Sequence, residues 1–352
     1  MAVMRSELVE DLTRTVQQNC DIVDARHAAE MGMCAYLMKM REYFRWERGL
    51  EFRDRLSHDE IGDWLTDREA HLQTLVDADF GEIRIGGDSY DPFDAEAINS
   101  RLEPYGLAYS GGLVGGGRPH FFLAHLERVE KPGDGVAIRV CDKELARGLS
   151  APPAMTRERS IFLRREALRR YLWERLEIWR WKSPRNALAR AFASYDFERD
   201  LDRSLDAMSD KELHTALQHE MGELQATALL GDAWHDMLRD LLGTPAELMV
   251  RAVRDYLADC LCTIPYLVAQ AEKPPVHFFV GSLTNMRKEI FPGLMKTYTE
   301  WHESGDFESL FALADVGREH WLSIARETVE LHRRLGPDSM QPITQLIADN
   351  HL

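Results

Sequence analysis

Apolar side chains recur at intervals of three and four over most of this chain, the spacing of one buried helical face. Between residues 4 and 48, positions 8, 12, 16, 20, 23, 27, 31, 34, 38 and 41 carry Leu, Leu, Val, Cys, Val, His, Met, Cys, Met and Arg. One helix of that length is unusual, so a break is expected near Arg26 or Gly32. Ser57 to Glu60 forms a capping box. It opens a helix to about Val76 with Ile61, Trp64, Leu65, Leu72 and Leu75 inward.

The pattern changes from Phe80 to Asp142, where apolar residues alternate and glycines cluster. Ile83–Ile85 and Leu107–Ser110 read as strands, and Asp94–Leu102 as a short helix. His120–Val129 and Val136–Val140 flank Lys131-Pro-Gly-Asp-Gly135, a turn signal, and read as an antiparallel hairpin. From Thr156 onward the period is helical again. A long helix is expected over Arg157–Trp181, with another restarting at Ser183-Pro184. One opened by Ser209 and Glu212 runs to Leu230, and one capped by Thr244-Pro245 runs to about Thr263. Lys273-Pro274-Pro275 reads as a linker or tight bend. A last long helix, Phe307–Leu335, is stopped by Gly336-Pro337. The fold class is therefore mainly α, a multi-helix bundle with a small antiparallel α+β insertion. The expected organisation is an N-terminal helical segment (1–78), the insertion with its glycine-rich loop (79–150), and a C-terminal helical domain (151–352) packing with the first.

Length and charge narrow the function classes. The 352 residues are 45% apolar, enough for a sizeable core. Lys and Arg number 43 against 59 Asp and Glu, a net charge of −16. That balance argues against coating nucleic acid or anionic lipid. No apolar run is long enough for a membrane span. The opening MAVMRSELVEDL lacks the apolar core of an export signal. Five sparse cysteines without a CxxC fit reduced thiols. A cytoplasmic protein is the expectation.

Candidate chemistry lies on the inward stripes. His219, Glu220 and Glu223 share one face or its edge with Ala216, Ala226 and Leu230. Asp255 and Asp259 are one turn apart on a helix apolar on both sides. Asp24, His27 and Glu30 fall on or beside the first stripe. Buried acids and imidazoles must be paired, protonated or bound to a cation. Helical proteins build metal centres from such groups one turn apart. The leading expectation is a divalent transition metal (Fe, Mn or Zn) held by His27, Glu30, His219, Glu220, Glu223, Asp255 and Asp259, with Asp24, Arg26 and Arg254 around it. Such a centre would do hydrolytic or oxygen chemistry. The order of residues matches neither the Glu-x-x-His of ferritin-like di-iron proteins nor the zincin His-Glu-x-x-His. The alternative is a non-catalytic interaction or ligand-binding protein, with Arg26, Arg41, Arg251 and Arg254 turning the same acids into a structural ion network.

Two further stretches carry weaker signals. In Ser110–His120, backbone amides of Gly115, Gly116 and Gly117, with Arg118 and His120, could cradle an anion. No phosphate-loop or dinucleotide register fits, so no nucleotide cofactor is expected. Met155–Arg190 holds eleven Lys and Arg against four acids, interleaved with Trp and Tyr. That pattern suits a partner surface or a solvated face. The expected partners are a small-molecule substrate or a protein, with a homodimer among the options.

Asn19-Cys-Asp-Ile-Val-Asp-Ala-Arg-His27, Cys34–Arg41, Arg45-Trp-Glu47, Arg118-Pro-His-Phe-Phe-Leu123 and Ala252–Pro265 resemble blocks of an uncharacterised bacterial protein family. The resemblance spans most of the chain and implies no assigned activity.

Overall fold

The computed structural model describes residues 2–114, 117–133 and 135–352. The chain divides into two compact units, Met1–Pro153 with Phe162–Trp173, and Ala154–Ile161 with Glu174–Leu352.

In the first unit, the expected break separates α1 (Ala2–His27) from α2 (Met33–Glu47), with a 3-10 turn at Ala28–Glu30. Ser57 caps α3 (His58–Gln73) by accepting from the Glu60 N–H. A two-stranded antiparallel sheet, β1 (Ile83–Ile85) with β2 (Asp88–Tyr90), leads to α4 (Ala95–Leu102), capped by Asp94. The hairpin is longer than its periodicity implied. It comprises β4 (Arg118–Gly133) and β5 (Val136–Arg147), with β3 (Leu107–Val114) antiparallel to β4. Register shifts between Leu123 and Gly133 mark bulges, which bend a strand too long to stay flat. Residues 1–78 and 79–150, read from sequence as separate segments, fall in this one unit. The α1 stripe of Leu12, Val16 and Cys20 packs on Leu107, Tyr109, Phe121 and Leu123.

The helix expected over 157–181 starts later. Ala154–Arg157 (β6) and Ser160–Arg164 (β7) are strands, and α5 spans Arg165–Lys182. All five residues of β7 are buried, and a strand buried on both faces has no alternation to distinguish it from a helix. Glu158, at φ 49, makes the turn. The curled sheet is ordered β3-β4-β5-β7-β6.

The second unit is mostly helical. After α6 (Ala187–Phe192), the helix expected to open at Ser209 opens at Asp200, whose side chain accepts from the Arg203 N–H; α7 spans Leu201–Leu230. Ser209 and Glu212 are buried inside it, because the apolar stripe extends back through Leu201, Leu205 and Met208. α8 (Asp232–Asp240) is followed by α9 (Pro245–Ala258), capped by Thr244 as expected. Asp259–Thr263 forms a π turn before α10 (Ile264–Gln270). Pro265 lies just past that turn and removes a helical N–H. Lys273–Pro275 is no linker but the first turn of α11 (Lys273–Ser282), where the missing proline N–H costs nothing. α12 (Asn285–Ile290), α13 (Pro292–Ser304), α14 (Glu308–Leu335) and α15 (Met340–Asp349) complete the unit. Its core gathers Trp234, Tyr256, Phe291, Trp301 and Trp321. No helix among the described residues is long and apolar enough to cross a membrane.

Candidate functional site

In the second unit, α7 meets the end of α9 so closely that a Cβ on Gly222 would stand 2.3 Å from the Ala258 carbonyl oxygen. That approach sets His219, Glu220 and Glu223 beside Asp255 and Asp259. One atom each from His219, Glu223 and Asp255 lies within 4.8 Å of the other two. Two guanidinium groups share the cluster. Arg254 donates to both Glu223 and Asp255. Arg287 of α12 donates to Asp259. His219 Nδ1 is 2.8 Å from Asp259 Oδ1, and its Nε2 is 3.5 Å from Glu223 Oε1. Glu220 accepts from the Thr156 hydroxyl at 2.6 Å.

Burial alone would raise every acid here and lower the histidine. The pairing reverses this at three positions. Arg287 and His219 outweigh burial at Asp259 and hold its carboxyl at about 2. Arg254 and His219 do the same for Glu223, also at about 2. Asp259 and Glu223 outweigh burial at His219 and raise it well above its ordinary value, making it an imidazolium clamped by two carboxylates. At Glu220, burial and the Glu223 charge push the carboxyl up to about 7. Glu223, Asp255 and Asp259 therefore face Arg254, Arg287 and His219, three charges against three.

The first unit holds a different arrangement. The buried turns of α1 carry a series of polar clasps. Gln17 donates to Tyr43 Oη at 2.7 Å and to the Arg147 carbonyl at 3.0 Å. Asn19 both donates to and accepts from the Gly81 backbone. Asp21 takes both Nη groups of Arg68. Asp24 accepts from the Leu149 N–H with both oxygens, at 3.1 and 3.0 Å. Its nearest guanidinium, Arg68 Nη2, is 4.0 Å away and already committed to Asp21. Burial therefore dominates, and the Asp24 carboxyl rises to about 7. Gly148 permits the approach, since a Cβ there would stand 3.1 Å from Asp24 Oδ1.

Asp24 faces a cavity of about 170 Å³, lined also by Cys20, His27, Arg118, His120 and Ser150. The Cys20 thiol donates to the Phe121 carbonyl, and burial pushes its pKa up, so it is no nucleophile. His120 Nε2 lies 3.3 Å from Arg164 Nη1. Glu30 joins His27 and Arg118: Oε1 is 2.8 Å from His27 Nδ1 and Oε2 is 2.5 Å from Arg118 Nη2.

The expected ligand set thus divides. His219, Glu220, Glu223, Asp255 and Asp259 converge in the second unit. His27 and Glu30 belong to the first, paired with each other and with Arg118. Asp24 is a cavity-facing acid there, and Arg26 donates to the Val76 and Ala78 carbonyls. Arg251 pairs with Glu247 and Arg41 with Glu42. Gly115 and Gly116 lie outside the described residues. Gly117 is left-handed at φ 69, and Arg118 and His120 line the Asp24 cavity. Sequence reasoning did not find Arg68 or Arg287. Arg68 had a signal, because it fills the gap between Trp64 and Leu72 on an otherwise apolar stripe. Arg287 had none, sitting on a helix of six residues.

These features describe a two-unit, mainly helical protein with buried ion networks and a polar cavity. The chain belongs to the DUF6866 family of unknown function: the model of its N-terminal domain matches residues 11–164, and that of its C-terminal domain matches residues 169–350. The two matches part where β7 gives way to α5. No curated protein and no solved structure matches the chain.

Proposed function

We propose that this protein binds a small molecule in the Asp24 cavity, and that the His219–Asp259 cluster is a structural ion network. One observation carries the reading. Asp24 is a buried carboxyl whose nearest guanidinium, Arg68 at 4.0 Å, is shared with Asp21, and it titrates at about 7 while facing a cavity beside His27, Arg118 and His120. Such a group exchanges a proton at neutral pH, the property wanted of a general acid or base. A folded protein keeps a destabilised acid of this kind where a ligand uses it. The five unpaired thiols fit a reducing cytoplasm. Ligand-observed NMR with a library of small acids, amides and amines tests the reading. Binders should show affinities that change between pH 6 and 8, and Asp24→Asn should remove that dependence. A library without binders, or a dependence that survives in D24N, overturns it.

A second reading rests on the 4.8 Å grouping of His219, Glu223 and Asp255. These three atoms suit iron, manganese or zinc once Arg254 has swung away from Glu223 and Asp255. Elemental analysis of protein purified without chelator decides it. One transition metal per chain, lost in His219→Ala, supports a metal-dependent protein; none supports the ion network.

A further inference from the structure

The wall of the Asp24 cavity carries opposite charges. Cys20, Val23, Asp24 and His27 stand at helical spacing on one face of α1, and the start of β4 supplies Arg118 and His120. Among the described lining residues, Asp24 is the one acid and Arg118 the one Lys or Arg. Glu30, which engages His27 Nδ1 and Arg118 Nη2, is not in that wall. It therefore anchors both side chains without occupying the cavity. A guanidinium has five N–H donors and an imidazole two ring nitrogens, so each side chain keeps nitrogens for a second acceptor. Asp24 needs the reverse. Its oxygens share one N–H, from Leu149, and Arg68 comes no closer than 4.0 Å. Burial raises its carboxyl most; the Leu149 N–H, Arg68 and Arg147 pull it back, and Asp21 adds to the rise.

This pair of charges selects a ligand. An anion in the cavity meets Arg118 but is repelled by Asp24 once that is ionised. A cation meets Asp24 but is repelled by Arg118. A molecule with both charges satisfies both groups, and it brings Asp24 a closer cation than the one the fold leaves 4.0 Å away. Volume sets the size. At about 30 Å³ for each water-sized group, a cavity of about 170 Å³ admits roughly five or six non-hydrogen atoms. Glycine and alanine are of that size. Resting on the reading of the Asp24 cavity as the ligand site, we propose that the ligand is a small zwitterionic amino acid, with its ammonium on Asp24 and its carboxylate on Arg118 and His27.

Calorimetric titration of the full chain with L-alanine, propionate, ethylamine and L-tryptophan tests this. One alanine should bind per chain, about tenfold or more tighter than propionate or ethylamine, each of which lacks one of its charges. The ammonium meets the ionised carboxyl, so alanine affinity should rise about tenfold from pH 6 to pH 8 as Asp24 loses its proton. Asp24→Asn should weaken alanine and flatten that rise. Arg118→Gln, at an exposed position, should weaken alanine about tenfold and leave ethylamine no weaker. Tryptophan should not bind. Propionate or ethylamine binding as tightly as alanine, or R118Q without effect, overturns the zwitterion and leaves the cavity reading standing. Tryptophan binding as tightly as alanine overturns the size limit and the proposal with it. An alanine affinity that falls from pH 6 to pH 8 overturns the ammonium at Asp24. If no probe binds but the fragment library yields a binder, the amino acid falls alone; if the library yields none either, both fall.

Discussion

Asp24 and Asp259 are both buried aspartates near the end of a long helical stretch, and their chemistry is opposite. Asp259 receives Arg287 on one oxygen and His219 on the other, and stays ionised down to a pH of about 2. Asp24 receives one backbone N–H shared between its oxygens, with the nearest guanidinium turned to Asp21, and titrates at about 7. Burial is common to both, so burial alone does not mark a functional group. What distinguishes them is whether the fold supplies a cation within hydrogen-bonding reach. A buried acid whose charge is fully met by its own cation is held ionised; one that shares a distant cation is pushed toward the protonated form.

Three experiments would break or sharpen this contrast. The largest effect is expected from Asp259→Ala. It strands Arg287 and the His219 imidazolium without their shared partner, at a cost of about 3–5 kcal/mol. Guanidinium unfolding reads it, and a loss below about 1 kcal/mol would mean the network is not the matched set described.

Asp24→Asn should act in the other direction. Its folded pKa is raised from 3.8 to about 7, so folding favours the protonated form. The penalty of the charged form is complete above pH 7 and is relieved as pH falls toward 3.8. The asparagine variant should therefore be more stable than wild type at pH 8, by about 2–4 kcal/mol, with the gap closing toward pH 5. Urea midpoints across that range check it. A variant less stable than wild type at pH 8 would show that Asp24 is as well paired as Asp259.

The smallest effect is expected from chelation. If Arg254 and Arg287 already neutralise the acids of the second unit, dialysis against a strong chelator leaves the thermal midpoint unchanged. A drop of several degrees would make a bound cation part of that fold and favour the metal reading.

The candidate residues of the second unit were legible because their chemistry follows helical spacing. His219 and Glu223 are four apart, as are Asp255 and Asp259, and any helix puts such pairs on one face. What fills the space between them was not legible. Arg254 was in view as a neighbour in sequence, but Arg287 comes from a short helix 28 residues beyond Asp259. In the first unit, the stripe of α1 told that Asp24 faces inward, but not that Leu149 and Gly148 would meet it from the end of β5.

The fold divided in the same way. Periodicity and caps placed α1, α2, α3, α4, α9 and α14, because helices and their ends are set by residues within a few positions of one another. The strand β7 escaped because burial on every side erases the period that marks an element, and the true start of α7 escaped because the Ser209 and Glu212 pair imitates a cap inside a longer apolar stripe. The sequence by itself thus determined which faces are apolar and which polar groups must be buried with them. Only tertiary structure decided which buried charges found a partner, since the partner arrives from a distant segment and its guanidinium sets the ionisation of what it touches.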